Sequence, residues 1–206
     1  MKIVATNIGC KRTITWGSKE FETGIFKSPV DHGVFLGSED VENDDVIERK
    51  YHGGIDKACY AFSANQYEYW KEQFPHLEWN FGMFGENLTI EGFDERHVFI
   101  GDTFEVGEAI IEVSEPRQPC YKLNARFESN KMVKLFVEHG FCGSYFRVLK
   151  TGIVRPGDKL HMIKNGTPEI SLYDVFKLIY TKENSDLRTV AINHPKLAQS
   201  TIDDLR

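Results

Sequence analysis

Short β-prone segments separated by turn residues fill the first 166 residues of this chain and limit the folds open to it. The segments are rich in Val, Ile, Phe and Thr, and Gly, Asp or Pro lies between them. Strands this short and this closely spaced are typical of a barrel or a folded-over sheet. The predicted strands are 2–8, 47–51, 98–100, 103–106, 109–114, 145–149 and 159–163. The sequence therefore predicts a mainly β fold with some α-helix, in which residues 1–166 form a β-barrel-like domain.

Two helices are predicted within this β-rich region. Ser63 and Gln66 are spaced as a capping box, which predicts a helix whose aromatic residues at positions 67, 70 and 74 share one core-facing side. A second helix is predicted over 131–139, because Gly140 follows it and glycine commonly ends helices.

The remaining residues, 167–206, read as a small helical tail. Ser171 is placed to start a helix with one apolar stripe, and a last helix is predicted to open at Pro195. A segment this short has too few apolar residues to fold alone. We therefore expect the tail to pack on the main domain or across a homodimer interface.

Charge and hydropathy exclude several classes of protein. The net charge of −6 argues against nucleic acid as a partner, and no apolar run approaches the ~20 residues that span a bilayer. The first residues turn polar too soon for a signal peptide, so a cytoplasmic location with no membrane partner is expected. The acidic run 39–45 lacks the glycine of a calcium loop and is expected to be solvated.

The four cysteines differ in their surroundings. None forms a C-x-x-C pair, and disulfides are rare in a reducing cytosol. Cys10 and Cys59 lie among small or apolar residues and are expected in the core, and Cys142 is also expected to be structural. Cys120 is different, because two prolines stiffen its approach and Arg117 and Lys122 flank it. A thiol near cations tends to ionise, and the thiolate is both a nucleophile and a metal ligand.

Three further stretches contain candidate binding residues. Gly53 and Gly54 allow a tight turn that can expose N–H groups to an anion, although a plain turn is an equal alternative. Asn87 offers a donor and an acceptor, or belongs to an ordinary turn. Arg147 should share a strand face with Tyr145, or pair with a surface carboxylate. The phosphate-loop, dinucleotide, zinc-protease and serine-hydrolase motifs are absent from the sequence.

The order and spacing of these motifs resemble the MOSC domain family (molybdenum cofactor sulfurase C-terminal domain), and in particular its stand-alone bacterial members. The resemblance covers about residues 1–165. The stretches that carry it are 25–30, 52–58, 84–89, 101–102, 113–123 and 147–149. It implies a β-rich domain with an exposed cysteine that ligates molybdenum in a pterin cofactor, molybdopterin, or carries sulfur to it. The family as a whole is also associated with pyridoxal phosphate binding, and the resemblance implies this only at the level of the family.

The resemblance also implies roles for particular residues. Cys120 matches the position of the catalytic residue and metal ligand, and thiolate suits a soft, redox-active metal. Two positions depart from the family pattern and lower the local positive charge, Glu115 and the stretch 141–143. The predicted cofactor-binding residues are Lys27, His52, Gly53, Gly54, Lys57, Asn87, Arg117, Lys122 and Arg147. Of these, Lys57, Asn87, Arg117 and Lys122 are expected to converge around Cys120.

The function implied by the resemblance is a molybdenum-cofactor oxidoreductase. Such a protein reduces small N-hydroxylated compounds, such as N-hydroxylated purine bases, to amines, and a separate reductase supplies the electrons. A sulfur carrier or cofactor-handling protein with a persulfide on Cys120 is the main alternative. A cofactor-free remnant of the fold, used for binding or dimerisation, is the third.

Overall fold

The structure, a computed structural model, describes residues 1–181 and 186–206. Its strands are β1 (Lys2–Gly9), β2 (Arg12–Trp16), β3 (Lys19–Thr23), β4 (Lys27–Pro29), β5 (Val34–Leu36), β6 (Cys59–Ser63), β7 (Leu88–Glu91), β8 (Thr103–Val106), β9 (Ala109–Pro116), β10 (Ser144–Lys150), β11 (Gly152–Val154) and β12 (His161–Lys164). Its helices are α1 (Arg49–His52), α2 (Tyr67–Gln73), α3 (Lys122–Arg126), α4 (Met132–His139), α5 (Leu172–Tyr180), α6 (Asp186–Ile192) and α7 (Gln199–Leu205). Single 3-10 turns cover Ile55–Lys57 and Ala64–Gln66.

One sheet of eight strands dominates the described part of the chain. Its order is β12-β8-β9-β10-β6-β7-β1-β4, and every neighbouring pair is antiparallel except β6 and β7. The start of β1 bends back toward β12, since the Ile3 amide donates to the Asp158 carbonyl at 2.8 Å. The sheet therefore curls into a half-barrel, and the predicted mainly β, barrel-like fold with added helices is confirmed.

The pairing of β9 with β10 contains a β-bulge close to the segment that carries Cys120. Tyr145 lies opposite Glu115, but Phe146 lies opposite Val113, so Ser114 is an extra residue in β9. Such a bulge bends a strand and re-aims the side chains next to it. It occurs immediately before the segment that carries Cys120, which leaves the sheet directly after β9.

The helical tail shares its core with the sheet. Ser171 begins α5 with a complete capping box, in which its Oγ accepts from the Asp174 amide at 3.1 Å. Leu172, Ile202 and Leu205 are buried in the same apolar cluster as the sheet residues. The tail thus buries its apolar stripes within its own chain, and the homodimer stays a prediction.

A second cluster is mostly aromatic and lies under α2, α3 and α4. Phe62 and Phe84 stack with ring centroids 4.0 Å apart, and Trp70 packs against Phe136 at 6.0 Å. All four side chains are fully buried. The predicted core role of the aromatic face at 67, 70 and 74 is confirmed, because Tyr67, Trp70 and Phe74 belong to this cluster.

Some local predictions are wrong. Residues 47–51 are not a strand, because α1 begins at Arg49, and 98–100 form no strand beyond one isolated bridge. Ser63 does not cap a helix, since its hydroxyl lies in β6 and donates to the Phe93 carbonyl at 2.6 Å. For Ser63, a tertiary contact outweighs the local capping propensity.

The helices of the described residues are all too short or too polar to cross a membrane.

Candidate functional site

The segment 117–121, named here the cysteine loop, connects β9 to α3. Its backbone is held at one end by the Arg117 amide, which donates to the Gly143 carbonyl at 3.5 Å, and at the other by the turn in which the Leu123 amide donates to the Cys120 carbonyl at 2.9 Å. Pro116 and Pro119 add no donors. Cys120 is half-buried at the end of this loop and forms no disulfide.

The other cysteines are placed differently. Cys59 and Cys142 are fully buried, and burial raises the pKa of the Cys142 thiol well above its ordinary value. Cys142 packs among the aromatic residues, which agrees with a structural role. The prediction that Cys10 is a core residue is wrong: it lies exposed between β1 and β2. Cys120 is therefore the accessible thiol that also lies in a cleft.

A cleft with about 650 Å³ of empty space, partly open to solvent, lies beside the cysteine loop. Cys120 lines it together with residues from five distant segments of the chain. The predicted residues that line it are Lys27, His52, Lys57, Asn87, Arg117 and Lys122. The convergence expected from the sequence is thus present in the geometry, whereas the cofactor-binding roles of these residues stay predictions.

Each of the three lysines in the cleft has a carboxylate partner. The pairs are Lys27 with Asp44, Lys57 Nζ with Glu115 Oε1 at 3.2 Å, and Lys122 Nζ with Glu48 Oε2 at 2.9 Å. All three lysine side chains are at least four-fifths buried. Glu115 therefore lowers the local positive charge as expected. The cleft is an alternation of charges, not a uniformly basic surface.

Arg117 is the exception among the described cations of the cleft, because no carboxylate pairs with it. Its guanidinium lies over the rings of Tyr60 and Phe136, at 5.1 and 5.6 Å from their centroids, and its Nη1 is buried without a hydrogen bond. Burial lowers the pKa of Arg117, but nearby Tyr60, Tyr145 and Cys120 more than offset it, so the pKa is raised. A buried cation with an orphaned donor is poised for an anion.

His52 is a titratable group of the cleft whose pKa is strongly shifted by its surroundings. Its Nδ1 lies 3.4 Å from the Tyr145 hydroxyl. Burial, followed by the charges of Arg117, Lys122 and Lys57, lowers the pKa of His52 to about 4. Burial likewise raises the pKa of Tyr145 to about 12. Both groups are therefore uncharged near pH 7, which leaves a neutral hydrogen-bonding pair beside the cations.

The depressed pKa of His52 predicts a pH-dependent stability. Since the unfolded imidazole titrates near 6.5 and the folded one near 4, the contribution is complete above about pH 6.5 and is lost as the pH falls toward 4, by roughly 3 kcal/mol. His52→Gln should remove this loss. Urea unfolding at pH 7 and pH 4.5 measures the difference, with the exposed His161→Gln as the matched control. Equal losses in wild type and His52→Gln would contradict the neutral, buried imidazole.

Asn87 lines the cleft, but its side chain serves the fold. Its Oδ1 accepts from the Tyr60 amide at 3.3 Å, and its Nδ2 donates to the Asn7 carbonyl at 3.3 Å and to Asp44 Oδ2 at 3.0 Å. Both side-chain N–H donors of Asn87 are therefore used within the protein, and its predicted role in binding a cofactor stays a prediction. Asp44 also corrects the expectation of a solvated acidic run, because it is buried and holds Asn87, Lys27 and the Gly9 amide.

The glycine pair does not form the expected anion-binding turn. Gly53 and Gly54 do not line the cleft. The Gly53 amide donates to the Arg49 carbonyl at 3.0 Å, and the Gly54 amide donates to the Glu39 carbonyl at 3.2 Å. Both N–H groups are therefore already used within the protein, and the plain turn is the better interpretation.

Arg147 is also outside the cleft, although it shares a strand face with Tyr145. Its Nε donates to Asp56 at 2.6 Å, and its Nη1 donates to Glu112 at 3.2 Å and to the Lys196 carbonyl at 2.7 Å. These contacts attach the tail to the sheet. The structure places Arg147 outside the cleft, with its Nε and Nη1 donors engaged away from Cys120, and its cofactor-binding role stays a prediction.

Sequence reasoning missed several residues that shape the cleft. The cleft is also lined by Asp44 and Glu48, which form ion pairs with two of the lysines. Tyr60 lines it too, and its ring lies under the Arg117 guanidinium. The described residues contain no group of three or more His, Cys, Asp or Glu that could hold a metal ion by themselves. A metal at Cys120 would thus need to bring most of its other ligands with it.

Comparisons with known proteins agree with the resemblance. The model of the MOSC domain matches residues 48–161. The chain is 39% identical over 178 residues to YflK, an uncharacterized protein of Bacillus subtilis (strain 168), covering 86% of this chain and 80% of YflK. It is 32% identical over 169 residues to a protein of Gibberella moniliformis (strain M3125 / FGSC 7600) named Reductase, covering 81% of this chain but 30% of that protein.

A solved structure extends the likeness to the whole fold. The crystal structure of YiiM from Geobacillus stearothermophilus superposes with a TM-score of 0.81 and 30% sequence identity, over 100% of this chain and 99% of that one. The superposition thus covers the half-barrel and the helical tail together. The chain belongs to the MOSC domain family.

Proposed function

We propose that this protein binds the molybdenum cofactor and uses it to reduce small N-hydroxylated compounds, such as N-hydroxylated purine bases, to amines. The observation that carries the proposal is the pairing, in one cleft, of the accessible Cys120 thiol with the buried Arg117 guanidinium that has no carboxylate partner. The Cys120 thiol suits a soft metal as a ligand, and the Arg117 guanidinium suits an anionic pterin phosphate. The fungal relative named Reductase supports a redox role for the shared region.

The residues present fit such a cofactor. Cys120 would supply one thiolate ligand, and the pterin would supply further sulfur ligands, in keeping with the lack of a multi-residue metal cluster among the described residues. Arg117 would hold the phosphate. Lys57 and Lys122 would approach the anion while keeping their carboxylate partners, which limits how much positive charge they contribute.

When bound, the cofactor supplies two-electron reduction of the N–OH group. The overall change, R–NHOH + 2 e⁻ + 2 H⁺ → R–NH₂ + H₂O, needs two protons and two electrons. His52 and Tyr145, uncharged in the same cleft, can hydrogen-bond the substrate oxygen without competing for the anion site. A separate reductase would deliver the electrons, since the sequence carries no dinucleotide-binding motif.

Anion affinity should depend mainly on Arg117. Arg117→Met keeps the length of the side chain but removes the charge, and we expect inorganic phosphate to bind roughly 10- to 100-fold more weakly, since hydrogen bonds to charged groups contribute about 1.5–3 kcal/mol. Calorimetric titration at fixed ionic strength measures the loss. Lys122→Met is the control and should lose less, because Glu48 already neutralises that lysine. Equal losses in both variants would count against a dedicated Arg117 site.

The reaction is tested with the cofactor-loaded protein, an N-hydroxylated purine base and reduced viologen as an artificial electron donor. We expect two viologen equivalents to be oxidised for each amine formed. Molybdenum-loaded protein that oxidises no viologen in the presence of the base would reject the proposed reaction. Protein that lacks molybdenum but carries a labile sulfur on Cys120 would instead favour the sulfur-carrier alternative.

A further inference from the structure

The end of β9 and the cysteine loop that follows it are hydrogen-bonded to the C-terminal helix α7 and its N-cap residue. The contacts run from the end of β9 and from the loop itself to consecutive turns of the tail. They are the Ala198 amide to the Ser114 carbonyl at 3.2 Å, Thr201 Oγ1 to Glu115 Oε2 at 2.5 Å, Ser200 Oγ to Glu115 Oε2 at 2.9 Å, and Gln118 Nε2 to Asp204 Oδ2 at 2.5 Å. Thus α7 and the residue before it contact the chain on the N-terminal side of Cys120 at three positions, 114, 115 and 118.

Glu115 is the junction of this arrangement. Its carboxylate is buried, with a side-chain exposure of 2%, so it needs partners. One oxygen accepts from the hydroxyls of Ser200 and Thr201 on α7, and the other faces Lys57 Nζ across 3.2 Å on the side of the cleft. Thr201 is itself fully buried. A displacement of α7 would therefore move the Glu115 carboxylate, and with it Lys57 in the cleft and the start of the cysteine loop.

Besides the buried Arg117 at its start, the cysteine loop has few attachments on the side that faces the tail. Pro116 and Pro119 have no N–H, and the backbone bond from Arg117 to Gly143 is long, at 3.5 Å. The Gln118 side chain is therefore the loop's own link to the tail. A residue held by a small number of contacts moves when one of them is lost, and reacting groups tolerate little displacement.

We propose that α7 positions the Cys120 thiol, with Thr201 and Asp204 as positioning residues that act through Glu115 and Gln118. The inference rests on the proposed function only in taking Cys120 as the reacting residue. Neither Thr201 nor Asp204 touches the cleft, so any effect on the thiol is transmitted through the loop.

The test measures the alkylation rate of Cys120 relative to Cys10 in metal-free protein, by iodoacetamide labelling and peptide mass spectrometry. Cys10 is exposed and serves as an internal reference. In the double variant Thr201→Val with Asp204→Ala, the Cys120-to-Cys10 ratio should change at least about threefold, while the thermal midpoint shows the protein still folded. Thr201→Ser keeps the hydroxyl and should restore the wild-type ratio at that position.

Asp203→Ala is the matched control. Asp203 lies on the same helix but contacts Gln199 and Arg206, not the loop, so it removes the same charge without loosening Cys120. If the double variant fails to fold, Asp204→Ala alone removes one exposed contact and should still shift the ratio. An unchanged ratio in the folded Asp204→Ala and double variants, or an equal shift in Asp203→Ala, would overturn the inference. Because no metal is needed, that failure would leave the molybdenum proposal untouched.

Discussion

Removal of residues 167–206 should leave a chain that does not fold cooperatively. The tail contributes to the same apolar cluster as the sheet, and each buried Val, Leu or Ile is worth about 1.5–3 kcal/mol. The residues lost from that cluster are Ile170, Leu172, Val175, Leu178, Ala191, Leu197, Ile202 and Leu205. Their combined burial, about 10–20 kcal/mol, is as large as the roughly 5–15 kcal/mol by which a domain is stable. Circular dichroism and urea unfolding of residues 1–166 measure the result.

The matched control removes only Arg206, which is exposed and bonds to Asp203 on its own helix. That variant should unfold at the urea concentration of the full chain. The tail also ties Glu115 and Gln118 in place, so partial truncations should disturb the cysteine loop before the sheet. A fragment of residues 1–166 with an unchanged unfolding midpoint would show that the sheet needs no cover from the tail.

Cys120→Ser should abolish molybdenum binding while leaving the fold intact. A serine hydroxyl is a poor ligand for a soft metal, and the thiol is only half-buried at the edge of a cleft, where serine of similar size can replace it. We therefore expect a thermal midpoint within a few degrees of wild type and no retained metal in the variant. Elemental analysis by mass spectrometry and a thermal melt measure the two outcomes.

Cys10→Ser is the control for the loss of an exposed thiol and should retain its metal. If the Cys120→Ser protein keeps the molybdenum content of the wild type, then another residue must be the metal ligand. One that no longer folds would give Cys120 a structural role, in conflict with its place at the end of the cysteine loop.

Local patterns in the sequence were sufficient for much of the fold. The strand 103–106 has the predicted bounds, and a helix starts at Ser171 as predicted, with Ser171 as its cap. Both depend on residues adjacent in the chain, where propensity and capping chemistry act directly. The strand predicted over 47–51 is wrong because its apolar pattern counted Tyr51. That side chain is largely exposed, in a helix that buries none of its residues.

The partners of the lysines could not be predicted in the same way. Asp44, Glu48 and Glu115 each reach their lysine across many residues of chain, and no periodicity encodes such a pairing. The resemblance located Cys120 and its cations, but it did not distinguish the unpaired Arg117 from the neutralised lysines. That distinction depends on burial and on side-chain geometry, which only the folded structure provides.

The predicted anion-binding groups outside the cleft also depend on contacts that the sequence does not show. Gly53, Gly54 and Arg147 have the residue types expected of an anion site, yet the protein itself uses the N–H groups of both glycines and the Nε and Nη1 donors of the arginine. Residue type gives the capacity to bind, whereas free hydrogen-bonding atoms decide whether that capacity remains.

The molybdenum content of the wild-type protein, purified from a host that synthesises the cofactor, tests the central claim most directly. We expect stoichiometric molybdenum with an equal amount of pterin, and neither in protein from a host that cannot make the cofactor. A folded protein from the first host, with Cys120 reduced and with no molybdenum or pterin, would contradict the account.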